Sequence, residues 1–124
     1  MTRLGKCVSA TLLLAAGAAI AANKFGTPSS IVHVVLIQWK AETTPEQKAE
    51  ALQGVKKMAA EIPGIKNVWI KAARVQPLEF TDAFVIEFED KAAAERYADH
   101  PAHRAWEKIY LPLREESRSE QITN

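Results

Sequence analysis

Two of the chain's three histidines stand within four residues of each other, in Tyr97-Ala98-Asp99-His100-Pro101-Ala102-His103, and the third, His33, lies in an apolar run far upstream. These side chains could move a proton. An imidazole titrates near neutral pH and serves as a general base, and a tyrosine hydroxyl can hydrogen-bond an oxygen as it gains charge. In that reading His103 removes a proton α to a carbonyl, Tyr97 donates to the developing enolate, and His33 and His100 orient a ligand. A structural alternative uses the same residues. His100 then bonds local backbone at the turn, His103 bonds a carbonyl in the first turn of a helix, and Tyr97 and His33 are core side chains with their polar atoms satisfied.

Pro101 sets the local geometry. Its ring fixes φ near the helical value and removes a donor, which suits the first turn of a helix and pushes His100 out of the α region. The two neighbouring imidazoles therefore diverge, and neither a cysteine nor a third local ligand joins them, so no metal and no cofactor is expected. Lys71, Arg74, Arg96 and Arg104 are scattered among acids and read as solvated charges. With 16 basic and 15 acidic residues and a net charge of +1, nothing calls for a nucleic-acid partner.

The elements that must position these side chains begin after a leader. Arg3 and Lys6 precede an uncharged stretch from Cys7 to Ala22, with small residues at Ala19 and Ala21. A basic head, an apolar run and a small-residue cleavage site make residues 1–22 a secretory signal, cut after Ala21, and residues 23–30 a turn-rich linker. The alternative is an uncleaved anchor, but the run is short for a span, which takes about 20 predominantly apolar residues. Cys7 precedes the apolar stretch, so it is poorly placed for lipid attachment, and its removal leaves no disulfide or thiolate site. The expectation is export to the periplasm or medium, with no stable membrane association after cleavage.

Residues 31–124 then form one domain. Ile31 to Lys40 is apolar nearly throughout and reads as a strand buried on both faces. Thr44-Pro45-Glu46-Gln47 is a capping box with proline at the first helical position, opening a helix that Pro63-Gly64 ends. Gly54 inside it costs about 1 kcal/mol relative to Ala, which close packing against a sheet would explain. Ile65 to Val75 and Thr81 to Glu89 read as strands joined antiparallel. Asp90 caps a helix to Ala98, broken at His100-Pro101, and a further piece runs to about Tyr110 with Ala105, Trp106, Ile109 and Tyr110 as its apolar side. Residues 115–124 read as a polar edge strand.

The resulting order is α+β, the βαββαβ or ferredoxin-like arrangement. Its helices cover one sheet face only. Trp39, Trp69 and their apolar neighbours would leave the other as an exposed patch, so a homodimer closed through the sheet faces is expected. The tryptophans, Trp106 included, read as core or interface.

At this level the chain resembles the stress-responsive A/B barrel, or Dabb, family. The matching segments are Ile31-Val32-His33-Val34-Val35-Leu36, Ile62-Pro63-Gly64-Ile65, Phe88-Glu89-Asp90, and Tyr97 through His103 with its His100-Pro101-Ala102-His103 core. The resemblance implies a dimeric α/β barrel. It also brings in a cofactor-free plant polyketide cyclase of the family, whose working tyrosine and histidine fall where Tyr97 and His103 stand, with a supporting strand histidine at His33. Two functions follow as expectations: a dimer that binds a small apolar ligand without catalysis, or a cofactor-independent cyclase or lyase with His103 as base and Tyr97 as proton donor. A third, a purely structural oligomer, requires no cavity.

Overall fold

The first strand alternates. In the computed structural model, which describes residues 25–124, β1 (Ile31–Trp39) sends Ile31, Val35, Ile37 and Trp39 into the core and leaves Val32, Val34 and Leu36 half-buried on the opposite face. The expected burial on both faces is therefore corrected for the single chain, because helices cover only one side of the sheet. The signal and the start of the linker lie outside the described residues.

Helix α1 (Pro45–Glu61) starts as its sequence demands. Thr44 Oγ1 accepts from the Gln47 N–H at 3.2 Å while Gln47 Oε1 accepts from the Thr44 N–H at 2.9 Å. Two otherwise unpaired main-chain donors are satisfied reciprocally. Gly64 follows at φ +88°, where a Cβ would sit 2.5 Å from the Cβ of Ala93, so only glycine permits this approach.

β2 (Ile65–Trp69) pairs antiparallel with β3 (Asp82–Phe88) and is shorter than expected. The ladder stops at Trp69 opposite Val85, and the chain leaves through an irregular segment holding the cis Gln76-Pro77 bond. Asp90 Oδ1 then accepts from Ala93 N–H at 2.8 Å to start α2 (Lys91–Tyr97), and α3 (Pro101–Tyr110) follows the break. β4 (Arg114–Ile122) pairs antiparallel with β1 alone and so forms an edge. The sheet order β2-β3-β1-β4, with all pairs antiparallel, is the ferredoxin-like topology.

Three placements differ from the sequence expectations. Gly54 packs against α3, not a sheet: a Cβ there would lie 2.8 Å from Trp106 Cδ1. Trp39 belongs to the helix side, where its Nε1–H donates to Asp82 at 2.6 Å and its ring meets Tyr110 edge-on. On α3 the buried side chains are Trp106 and Tyr110, while Ala105 and Ile109 face outward, because the inner stripe starts one turn earlier with His103. The outer sheet face keeps a half-exposed apolar stripe through Val32, Val34, Leu36 and Val85, with Trp69 51% exposed. Among the described residues no helix is long and apolar enough to cross a membrane.

Candidate functional site

A cavity of about 140 Å³ opens between the inner face of β1 and β4 and the flank of α3. His33, Tyr97 and His103 all line it. Their rings form a chain, with centroids 6.0 Å apart from His33 to Tyr97 and 4.3 Å from Tyr97 to His103. His33 comes from the inner register of β1, Tyr97 from the last turn of α2, and His103 from the first turn of α3.

The helix break determines how His103 is held. Pro101 has no N–H, and the Ala102 N–H donates to His100 Nδ1 at 3.1 Å instead of bonding back to Ala98. The Ala98 carbonyl is left to accept from His103 Nδ1 at 2.9 Å. Since a carbonyl can only accept, Nδ1 carries the proton, and in the neutral ring Nε2 keeps its lone pair. Nε2 stands 3.6 Å from Glu107 Oε1, whose other oxygen accepts from Arg104 Nη1 at 3.0 Å. Arg104 also holds Asp99 at 2.8 Å. It is solvent-exposed, as expected of a solvated charge, and its guanidinium bridges Asp99 and Glu107.

His100 does not join the site. It caps α3 through its Nδ1, as the structural alternative for this residue requires, and lies on a separate exposed surface with Arg96 and Asp99. His103 likewise meets that alternative with one nitrogen, while the other remains available.

Burial adjusts the remaining titrating groups. Tyr97, only 5% exposed, has its hydroxyl pushed well above its ordinary value by desolvation and then by the negative charge of Glu107, so it stays a proton donor throughout the physiological range. His33 is lowered, first by burial and then by repulsion from His103, against a weaker opposing interaction with the backbone at Glu120.

Sequence reasoning did not find the β4 side of this cavity. Arg114, Ser117 and Ser119 line it, together with Glu107 and Tyr110 of α3. Trp106 stacks on Tyr110 at 4.4 Å and meets Phe84 edge-on, giving an aromatic wall. Among the described residues, two buried side-chain polar atoms have no hydrogen-bond partner, His33 Nδ1 and the Tyr110 hydroxyl, and both belong to residues of this cavity. Among those residues, no group of three or more His, Cys, Asp or Glu could hold a metal ion.

Fold and site together define a ferredoxin-like α+β protein with a proton-transfer-capable cavity under its helices. Residues 31–120 match the model of the stress-responsive A/B barrel domain, and the chain belongs to that family. Similar solved structures include a dimeric ferredoxin-like protein of unknown function from Thermobifida fusca, 27% identical over 82% of this chain and 97% of that one, with a TM-score of 0.67. A Dabb family protein from Mesorhizobium loti is 25% identical over 77% of this chain and 96% of that one, with a TM-score of 0.67. A cofactor-independent oxygenase from Streptomyces nogalater, 14% identical over 77% of this chain and 93% of that one, with a TM-score of 0.64, shares the fold alone. No curated protein matches the chain.

Proposed function

We propose that this chain is a cofactor-independent acid–base catalyst acting on a small carbonyl compound. His103 Nε2 takes a proton from the carbon next to the carbonyl. The C–H electron pair becomes the C=C bond of an enolate, and the carbonyl π pair moves onto oxygen, where Tyr97 donates a hydrogen bond. Return of the proton to oxygen gives the enol, and its return to carbon regenerates the carbonyl compound with a solvent hydrogen exchanged in. Where the enolate carbon instead adds to a second carbonyl, the new alkoxide takes the proton from His103 and completes an aldol closure. No electrons leave the ligand, so no redox partner is needed.

The observation that supports this reading above all is the concentration of unpaired polar atoms in one cavity. Buried groups without partners are costly, about 1–3 kcal/mol each, and a polar ligand would satisfy them. The volume favours small substrates: a cavity of about 150 Å³ accommodates benzene, so a long ketide chain does not suit the single chain's pocket. The lining is also more polar than a purely apolar ligand would require.

The test is hydrogen–deuterium exchange at the α-carbons of small ketones and keto acids, followed by NMR in D2O. Exchange should fall by about 10²-fold or more in His103→Ala and also decline in Tyr97→Phe. Full activity in His103→Ala would sink the proposal, and a wild-type protein that binds such compounds but never exchanges them would leave a binding protein only.

Assembly as a homodimer through the outer sheet face is part of the same reading, supported by similar structures described as dimeric and by the apolar stripe. A stable monomer by sedimentation at micromolar concentration would contradict it. Export with cleavage after Ala21 is the remaining element, and an intact Met1 in exported material would overturn it.

A further inference from the structure

The two ends of the cavity differ in charge. At one end His33, Tyr97 and His103 line the cavity, and Glu107, 3.6 Å from His103 Nε2, is paired with Arg104. At the other stands Arg114, half-buried, with its guanidinium 5.4 Å above the Tyr110 ring and a hydrogen bond to Ser117 Oγ. Among the described residues no carboxylate lies within ion-pair distance of Arg114. One of its five N–H donors is used by Ser117, and others lie beside the Tyr110 hydroxyl. The Tyr110 hydroxyl beside it is shielded, and its burial pushes it up, against smaller opposing interactions with Ser117 and Arg114. The Ser117 and Ser119 hydroxyls complete the group, so donors gather at this end with no carboxylate paired to them.

The sign of this end is set by a break in register. From Val35 opposite Ser119 to Gln38 opposite Glu116 the pairing of β1 and β4 is regular, but Trp39 then pairs with Arg114, leaving Glu115 as an extra residue. Strict alternation after Ser119 and Ser117 would turn residue 115 toward the helices, and a one-residue slip exchanges the faces. The irregularity thus places an arginine at the cavity where unbroken pairing would place a glutamate.

We infer that Arg114, Tyr110, Ser117 and Ser119 form a subsite for the carboxylate of a small organic acid, whose reacting end lies at His103 and Tyr97. This rests on the proposed function for the reacting end, and it stands on its own for the anionic end. A guanidinium can engage both carboxylate oxygens through parallel N–H donors. His103 and Tyr110 are seven residues apart on α3, about 10 Å along the axis at 1.5 Å per residue, a spacing that suits an acid with its carbonyl a few carbons from the carboxylate.

Benzoate, its neutral isostere benzamide and inorganic phosphate serve as probes, with dissociation constants measured by NMR titration of the full-length dimer. Benzoate should bind the wild type at least about tenfold more tightly than benzamide, in line with a charge-assisted pair, and phosphate should fail to displace it. Arg114→Gln should remove that preference, mainly by weakening benzoate binding, and His103→Ala should leave benzoate affinity within about threefold. Equal binding of benzoate and benzamide by the wild type, a comparison that needs no variant, would overturn the inference. So would displacement by phosphate, absence of benzoate binding, or an Arg114→Gln protein that keeps the preference. Failure of the exchange reaction in His103→Ala with benzoate binding retained would support the anionic subsite, whereas loss of discrimination with exchange intact would remove the subsite and leave the proposed function standing.

Discussion

The two flanks of β1 are built from the same kind of ladder and put to opposite uses. Toward β3 the inward side chains Phe84, Ile86 and Phe88 are at most 2% exposed, sealed under the helices. Toward β4 the inward positions are Arg114, Ser117 and Ser119, and the helix layer leaves a cavity above them. The difference lies in side-chain type and, at Trp39, in a register shift that the ladder with β3 lacks. An apolar inner face is driven to close, about 25 cal/mol for each Å² removed from water. A polar inner face at a sheet edge keeps its hydration until a ligand replaces it. The core flank holds the fold, and the edge flank can specialise because little stability depends on it.

The strongest challenge to that division is Phe88→Ala. It should cost about 3–5 kcal/mol of unfolding free energy in a denaturant titration, and a loss below 1 kcal/mol would mean that the β3 flank is not where stability resides. Gly54→Ala probes the wall between the flanks, because the added Cβ meets the Trp106 ring that bounds the cavity. Overpacking of about 1–3 kcal/mol outweighs a helix-propensity gain of about 1 kcal/mol, so a net loss is expected in the same titration, with a shift in Trp106 fluorescence. Net stabilisation would show that Trp106 moves freely.

A subtler difference appears with pH. His33 has a folded value below its ordinary 6.5, so the unfolded chain binds the proton more readily. Its contribution to stability is complete above 6.5, declines as pH falls below that, and is fully lost once pH drops beneath the folded value. His33→Phe should flatten that acid limb by at most one proton in stability measured against pH, and an unchanged limb would place the acid sensitivity elsewhere. The smallest expected effect is that of Ser119→Ala, within about 0.5 kcal/mol. A loss on the scale of Phe88→Ala would erase the distinction between the flanks.

Local chemistry was the most legible part of the sequence. The Thr44 capping box, the Asp90 cap and the His100-Pro101 break each depend on residues within a few positions, and each stands where its residues require. The order of elements along the chain also followed, since helix and strand signals alternate in only a few compatible ways. Less legible was anything decided by a distant partner. β2 stops at Trp69 because its ladder with β3 ends, and Gly54 answers to Trp106 some 50 residues later. Tyr97, His103 and His33 were visible as candidates because their types are few and clustered. Arg114, Ser117 and Ser119 were not, because a polar edge strand carries no periodic signal and the register irregularity at Trp39 selects which residue faces inward.

The interruption between α2 and α3 also bears on how the chain can vary. The group that selects the His103 tautomer is the main-chain carbonyl of Ala98, which every amino acid carries. Replacing the side chain at position 98 cannot delete it. The setting is lost only if the helix heals, as when Pro101 gives way to a residue able to donate its own N–H and resume the ladder. The imidazole is thus held by a main-chain carbonyl that the His100 cap and Pro101 leave free. Drift at position 98 would be silent for the base, and a single exchange at position 101 would not.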